Sequence, residues 1–561
     1  MRALSRMEQL KYPTMNHINR RSFLESGTLA AAGLVTNGLF ARASAQDARG
    51  TSMSAAVQTR AGRVRGLVRT GINQFWGVPY GASTAGANRF MPPVKPQPWT
   101  GVRDCFQVSQ RAPQDENGPL SEFDALDRKE PMGEDCLSMN VFTPALGGGN
   151  RPVMVWIHGG GYSDASGNWL LYDGSNLARK EDVVFISINH RLNLFGFLYL
   201  ADLGAGTRWA NSGNLGMQDI VASLEWVRDN IAAFGGNPNN VTVFGQSGGG
   251  GKVTTLMAMP SAKGLFHRAI AQSGSTMRGE TRENATKTAE QFLARLGLKP
   301  NQLDELQKKP WQDIQQTFFA RPAIRGLGGG PVVDGQSLPT DPWFPVAPAM
   351  SADVPLMQGS VETEDAWTEP VPPLEMPEAD MMTRIMRIAG NDEARAKALV
   401  ALYRKTHPGI TNTDVWLIMN ADNTRRANAH TLGELKFAQG KAPSYLYFFN
   451  WRSPVHHGQI KSFHTIDIPF ALYNVDLAGS MIGAGQERYA LAHRMSAAWA
   501  AFARSGNPNH PDLPSWPAFN PTSYPTMVFG SDCRVVNDPN REERLALKAT
   551  STRSAGPPPS L

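Results

Sequence analysis

The sequence predicts an α/β fold: a large, mostly parallel central sheet flanked by helices, with helical insertions over the site. Three stretches predict it. Val241-Thr242-Val243-Phe244 is a short β-branched and aromatic run, closed by Gly245-Gln246-Ser247-Gly248-Gly249 and followed by a helix-like segment. Val153-Met154-Val155-Trp156-Ile157 is a second unbroken apolar run, and it ends in His158-Gly159-Gly160-Gly161-Tyr162. Asp182-Val183-Val184-Phe185-Ile186-Ser187-Ile188 reads as a third buried strand, and Asp219 to Phe234 as an amphipathic helix stopped by Gly235-Gly236. Apolar runs without polar alternation are strands covered on both faces, which is the parallel-sheet arrangement.

Each stretch also carries chemistry. Strand, then G-x-S-x-G, then helix is the nucleophile elbow of an α/β-hydrolase, in which the turn lifts the serine hydroxyl above the sheet. A P-loop would need Gly where Gln246 stands and Ser or Thr where Val253 stands, so Gly251-Lys252 is not one. The glycines after Ile157 match the loop that supplies oxyanion donors, and the amides of Gly160, Gly161 and Gly248 are the candidates. Hydrolases of this fold order their triad as Ser, acid, His.

Further segments are collinear with a known family. They include Phe75-Trp76-Gly77-Val78-Pro79-Tyr80, Arg89-Phe90, Pro98-Trp99, Glu134-Asp135-Cys136-Leu137-Ser138-Met139-Asn140-Val141, and Asn189-His190-Arg191-Leu192. Gly196-Phe197-Leu198, Leu265-Phe266-His267-Arg268, Pro331-Val332-Val333-Asp334-Gly335 and Trp516-Pro517 continue the series. In these the chain resembles the type-B carboxylesterases, the family that includes the cholinesterases, over nearly its whole length. The resemblance implies hydrolysis of carboxylic esters through an acyl-enzyme on Ser247, with a small-molecule ester as substrate and neither cofactor nor metal. It places the acid five residues after Gly359, at Glu364. Thr363 and Asp365 depart from the family's usual Asp and Gly, which leaves Glu362 and Asp365 open as alternatives. Ser462-Phe463-His464-Thr465-Ile466-Asp467-Ile468-Pro469-Phe470 resembles the segment around the catalytic histidine, which makes His464 the general base. His158 belongs to the oxyanion loop, His267 and His493 read as packed, and His456-His457 as a solvated loop near the site mouth. The chain has Gln246 where the family usually has Glu, and Gly248 where it usually has Ala. Trp76, Trp169, Trp209, Trp367 and Phe470 are the aromatics expected near the gorge. The resemblance also implies an upstream partner for Cys136. Cys105 is the only cysteine there, and a pair of packed, reduced thiols is the other reading.

The N-terminus reads as an address label. Asn19-Arg20-Arg21-Ser22-Phe23-Leu24 resembles the twin-arginine export motif, an Ala/Gly-rich stretch follows, and Ala43-Ser44-Ala45 offers a cleavage site after Ala45 or Ala43. The expected organisation is a signal peptide over 1–45, one hydrolase domain over 46–548 and a disordered tail over 549–561, in a bacterial protein working in the periplasm or outside the cell. The stretch is too polar for a stable membrane anchor. The whole chain has a formal net charge of +6. Residues 1–45 hold six basic residues (Arg2, Arg6, Lys11, Arg20, Arg21, Arg42) against Glu8 and Glu25, which is +4 and leaves +2 for the remainder. So balanced a surface argues against a nucleic-acid partner. It says nothing of oligomeric state. Two other functions share the pattern: a non-catalytic cholinesterase-like binding protein, and an amidase or thioesterase using the same triad.

Overall fold

The computed structural model describes residues 50–548, apart from 116–127, 205–206, 321–323, 325–328 and 368–370. The export segment read over 1–45 and the tail read over 549–561 lie outside the described residues.

Twelve strands form the main sheet. In chain order they are β1 (Ser52–Met53), β2 (Leu67–Arg69), β3 (Ile72–Pro79), β4 (Ser138–Thr143), β5 (Arg151–Ile157), β6 (Val184–Ile188), β7 (Gly236–Gln246), β8 (Arg268–Gln272), β9 (Leu356–Val361), β10 (Ser444–Phe449), β11 (Pro525–Phe529) and β12 (Arg534–Asn537). Their spatial order is β1-β2-β3-β4-β6-β5-β7-β8-β9-β10-β11-β12. From β6 to β11 all neighbours run parallel. Antiparallel strands finish both edges. The parallel centre is the part the apolar runs predicted.

Alternate residues along the central strands go to opposite faces. Met154, Trp156 and Phe244 join one buried cluster with Phe185 and Trp499. Val153, Val155, Ile157 and Val243 join the other with Ile186, Val227 and Phe234. Helix α1 (Leu215–Asn230) covers the second face through Met217, Ile220, Leu224 and Val227. It starts one turn earlier than its sequence suggested, because Asp219 is no terminal residue: it is buried in a salt bridge with Arg191 at 2.6 Å. A 3₁₀ turn over Ile231–Phe234 finishes it at Gly235, where φ is 85°. Helix α2 (Gly248–Leu256) begins with four glycines, poor helix formers. Burial of Val253 and Leu256 beneath the sheet holds it instead. Helices α3 (Asn412–Ala421) and α5 (Glu487–Ser505) join the first cluster, a five-residue π-helical turn (Asp422–Arg426) leads from α3 into α4 (Ala427–Ala438), and α4 sends Leu432 into the second cluster.

Cys105 and Cys136 are buried free thiols, so the bridge implied by the family resemblance is not made. Each packs as a small apolar side chain in the same cluster as Leu137 and Val78. Burial pushes the Cys105 thiol up to about 12 and raises the Cys136 thiol as well. Cys533 is free too.

Candidate active site

The candidate residues meet at the carboxyl ends of adjacent parallel strands, where ligands of open α/β sheets bind. Strand β5 ends at Ile157 and releases the glycine loop. Strand β7 ends at Gln246, next to Ser247, and β9 ends at Val361, three residues before Glu364. The chain after β10 returns through His464.

Ser247 sits between β7 and α2 with φ 58° and ψ −126°. A serine avoids this conformation, at a cost of about 1–3 kcal/mol, so the surroundings must impose it. Two hydrogen bonds do so: Ser247 N–H donates to Gln272 O at 2.8 Å, and Gly251 N–H donates to Ser247 O at 3.0 Å. The elbow is also crowded. A Cβ on Gly274 would lie 1.8 Å from Ser247 O. A Cβ on Gly248 would lie 2.0 Å from Gly161 O. The missing methyl at 248 therefore has a structural use. It admits the glycine loop against the elbow. Among the described residues the amides of Gly160 and Gly161 have no acceptor, and the Gly248 amide opens a helix, where N–H groups lack an intrahelical partner.

Glu364 is 1 % exposed and its Oε2 accepts from His464 Nδ1 at 2.5 Å. Its Oε1 accepts from the Val361 N–H at 3.1 Å. The loops carrying the pair are tied together: His464 N–H donates to Glu364 O at 3.1 Å, Thr363 N–H to Ser462 O at 3.1 Å, and Ser462 N–H to Thr363 Oγ1 at 3.0 Å. Thr363, the departure from the family pattern, is thus one of the ties. The alternatives are engaged elsewhere. Glu362 pairs with Arg452 at 2.7 Å, and Asp365 accepts from Asn420.

The Glu364 carboxyl lies below its ordinary range. Burial alone would raise it, and the His464 ring and then the Arg425 guanidinium, 3.5 Å away, outweigh that. His464 is likewise held below its ordinary value, first by burial and then by Arg425, against the pull of Glu364. The ring is therefore neutral near pH 7, as a general base must be. With Nδ1 serving Glu364, the lone pair is on Nε2. The Gln246 side-chain amide nitrogen lies 3.3 Å from each ring nitrogen. Among the described residues the Ser247 hydroxyl makes no hydrogen bond to the ring. Such bonds are often long until substrate is bound.

Other candidates fall away from the site. Trp76, Trp209 and Phe470 are core residues, 6 %, 4 % and 0 % exposed, because each is enclosed in an apolar cluster. Trp169 and Trp367 are half-buried. Trp367 packs edge-on against Phe463, next to His464, with ring centroids 4.5 Å apart. His456 and His457 are exposed in left-handed backbone. His267 is half-buried and accepts from the Val241 N–H. His493 is exposed and paired with Asp512 at 3.0 Å, not packed as its apolar neighbours suggested. No cluster of three or more His, Cys, Asp or Glu able to hold a metal ion occurs among the described residues. Nor is any described helix long and apolar enough to cross a membrane.

Three residues near the site escaped the sequence reading. Arg425 comes from the π-helical turn, far along the chain, and nothing local marks it. Ser273, whose backbone oxygen accepts from Arg425 Nε at 3.2 Å, lies just beyond β8. Lys252 was visible as the one charge on the apolar helix after the elbow, and it is fully buried under the glycine loop.

A strained serine at a strand-to-helix turn, with an imidazole–carboxylate pair beside it, defines a serine hydrolase of the α/β-hydrolase class. Comparison with known proteins agrees. The model of the carboxylesterase family matches residues 53–547. Among curated proteins, the chain is 34% identical over 498 residues to the para-nitrobenzyl esterase of Bacillus subtilis (strain 168), covering 88% of this chain and 98% of that protein. It is 32% identical over 508 residues to the phenmedipham hydrolase of Pseudarthrobacter oxydans, covering 87% and 98%. Among solved structures, a carboxylesterase of Geobacillus stearothermophilus superposes with a TM-score of 0.75 at 34% identity, covering 88% of this chain and 100% of the other. The chain belongs to the carboxylesterase family and is a carboxylic ester hydrolase.

Proposed function

We propose that Ser247 is the nucleophile, His464 the general base and acid, and Glu364 the acid that orients His464. The observation that carries this reading is the Glu364–His464 pair at 2.5 Å, which adjoins the strained elbow through Gln246. Ser247 Oγ attacks the ester carbonyl carbon and its proton passes to His464 Nε2. The carbonyl oxygen becomes an oxyanion facing the amides of Gly160, Gly161 and Gly248, each worth about 3 kcal/mol of transition-state stabilisation. Collapse of the tetrahedral species breaks the C–O bond, and His464 gives its proton to the departing alcohol. Water then attacks the acyl carbon, His464 takes a proton from it, and Ser247 leaves with that proton. Glu364 stays ionised throughout and stabilises the imidazolium.

The substrate is a small uncharged ester. One relative is named for a para-nitrobenzyl ester, and the half-open Trp367 beside Phe463 gives this chain an aromatic surface next to His464. A fluorophosphonate probe should label the wild-type protein at Ser247, and Ser247→Ala should abolish both labelling and hydrolysis of an aryl ester. A folded wild-type protein that resists the probe would point to a non-catalytic binder. Matched ester, amide and thioester substrates separate the esterase from the amidase and thioesterase readings. Export follows from Arg20 and Arg21: lysine at both positions should leave precursor in the cytoplasm, and normal export of that variant would remove the assignment.

A further inference from the structure

We infer that Lys252 is a positioning residue for the oxyanion loop: its buried ammonium grips the carbonyls of His158 and Gly159 and so turns the Gly160 N–H toward the substrate. The inference rests on the reading of Gly160 as an oxyanion donor.

Lys252 is 0 % exposed on α2, directly after the glycines that follow Ser247. Its Nζ donates to His158 O at 3.1 Å and reaches Gly159 O at 3.4 Å. It also lies 5.5 Å from the centroid of the Tyr162 ring. Among the described residues no carboxylate forms a salt bridge with it. Burial pushes the ammonium down to about 7, and only the more distant Asp164 opposes this. A buried charge without an ionic partner is destabilising. An apolar side chain of the same length would fill the space at lower cost, so stability does not explain the lysine.

Geometry does. A trans peptide is planar, with its C=O and N–H pointing in opposite directions. When Lys252 draws the Gly159 carbonyl toward the protein interior, the Gly160 N–H must point the other way. That amide has no acceptor among the described residues. Gly160 turns there with φ 73°, and its carbonyl accepts from the Ser163 and Asp164 amides at 3.1 Å. The turn is therefore clamped from both sides: Lys252 behind it and the Asp164 turn after it. The positive charge also polarises the 159–160 peptide, which makes its N–H a better donor to a developing anion.

The test compares wild type with Lys252→Met, Lys252→Gln and Lys252→Arg at about pH 6, where the ammonium form prevails. Active sites are counted with the fluorophosphonate probe. Per active site, Lys252→Met should lose about 10²-fold in kcat with KM within about threefold, the size of one misdirected oxyanion donor. Binding of an aryl trifluoromethyl ketone, which forms a hemiketal oxyanion on the serine, should weaken by a similar factor. Lys252→Arg should recover most of both. If Lys252→Met does not fold, Lys252→Gln carries the same comparison. A purely structural lysine would instead lower the melting temperature while leaving kcat per active site and ketone affinity unchanged, and that result overturns the inference. Failure of the probe to label wild type at all would overturn the nucleophile assignment instead, so the two failures are distinguishable.

Discussion

Arg425→Met should move the acid limb of the pH–rate profile upward. Arg425 Nε lies 3.5 Å from Glu364 Oε2, and His464 Nδ1 lies 2.5 Å from the same oxygen. The two nitrogens are therefore no more than about 6 Å apart, and at an effective dielectric of about 20 a unit charge at that distance disfavours imidazolium by roughly 3 kcal/mol. The Arg425 and His464 side chains keep 17% and 21% of their surface open, so water screens part of this. The sign follows from the direction: Arg425 holds the His464 pKa down, so removing the cation lets the ring protonate at higher pH. Glu364 loses the same cation and also becomes easier to protonate, so the limb reports the pair together. The assay is kcat/KM for a soluble aryl ester between pH 4.5 and 8, wild type against variant. The acid-limb midpoint should rise, with most of the plateau rate kept. A midpoint that stays or falls would refute the electrostatic argument and leave Arg425 only its hydrogen bond to Ser273 O.

Two further outcomes follow from the geometry. Glu364→Gln should cost about 10³–10⁴-fold in kcat, because the amide cannot stabilise the imidazolium and disturbs its tautomer. Glu362→Gln should stay within about threefold, since it removes only a pairing with the solvent-exposed Arg452. The reverse ranking in steady-state kinetics would move the acid. Gly248→Ala restores the residue usual in the family but sets a methyl 2.0 Å from Gly161 O. Overpacking of this kind should cost about 1–3 kcal/mol in thermal denaturation, with a fall in kcat as the glycine loop retreats. A variant as stable and active as wild type would show that the loop yields freely.

What the sequence made legible was local. The apolar runs at 153–157, 184–188 and 241–244 became central strands, since a strand buried on both faces has no polar alternation to conceal it. The elbow and the glycine loop were readable because a forced turn and a close backbone approach demand glycine at fixed spacing. Glu364 and His464 were reachable only through family resemblance, for they lie 100 residues apart and are joined by backbone ties between two loops. The aromatics were the weakest reading. Composition cannot separate a tryptophan lining a cleft from one enclosed in a core, and Trp76, Trp209 and Phe470 proved to be enclosed. The cysteine bridge failed for a related reason: a small buried thiol packs as well unbonded as bonded.

The departures from the family pattern are easier to understand together than singly. A glutamate at position 246 would set a second carboxylate within reach of the imidazole, because the side-chain nitrogen of Gln246 lies 3.3 Å from both ring nitrogens. Two anions against one ring favour its protonated form. Gln246 removes one of those anions, and Arg425 partly offsets the other, 3.5 Å from Glu364 Oε2. Both features push toward a neutral ring, so the base stays competent on the acid side of neutrality. Lys252 supplies a cation to the carbonyls of the glycine loop under the same condition, since its ammonium also survives best at lower pH. The base and the loop's clamp then share a pH window: the imidazole loses its proton below its ordinary range, and Lys252 keeps its own up to about 7. In a site built this way, neutral glutamine and buried lysine are parts of one electrostatic arrangement, set by residues the catalytic motif does not contain.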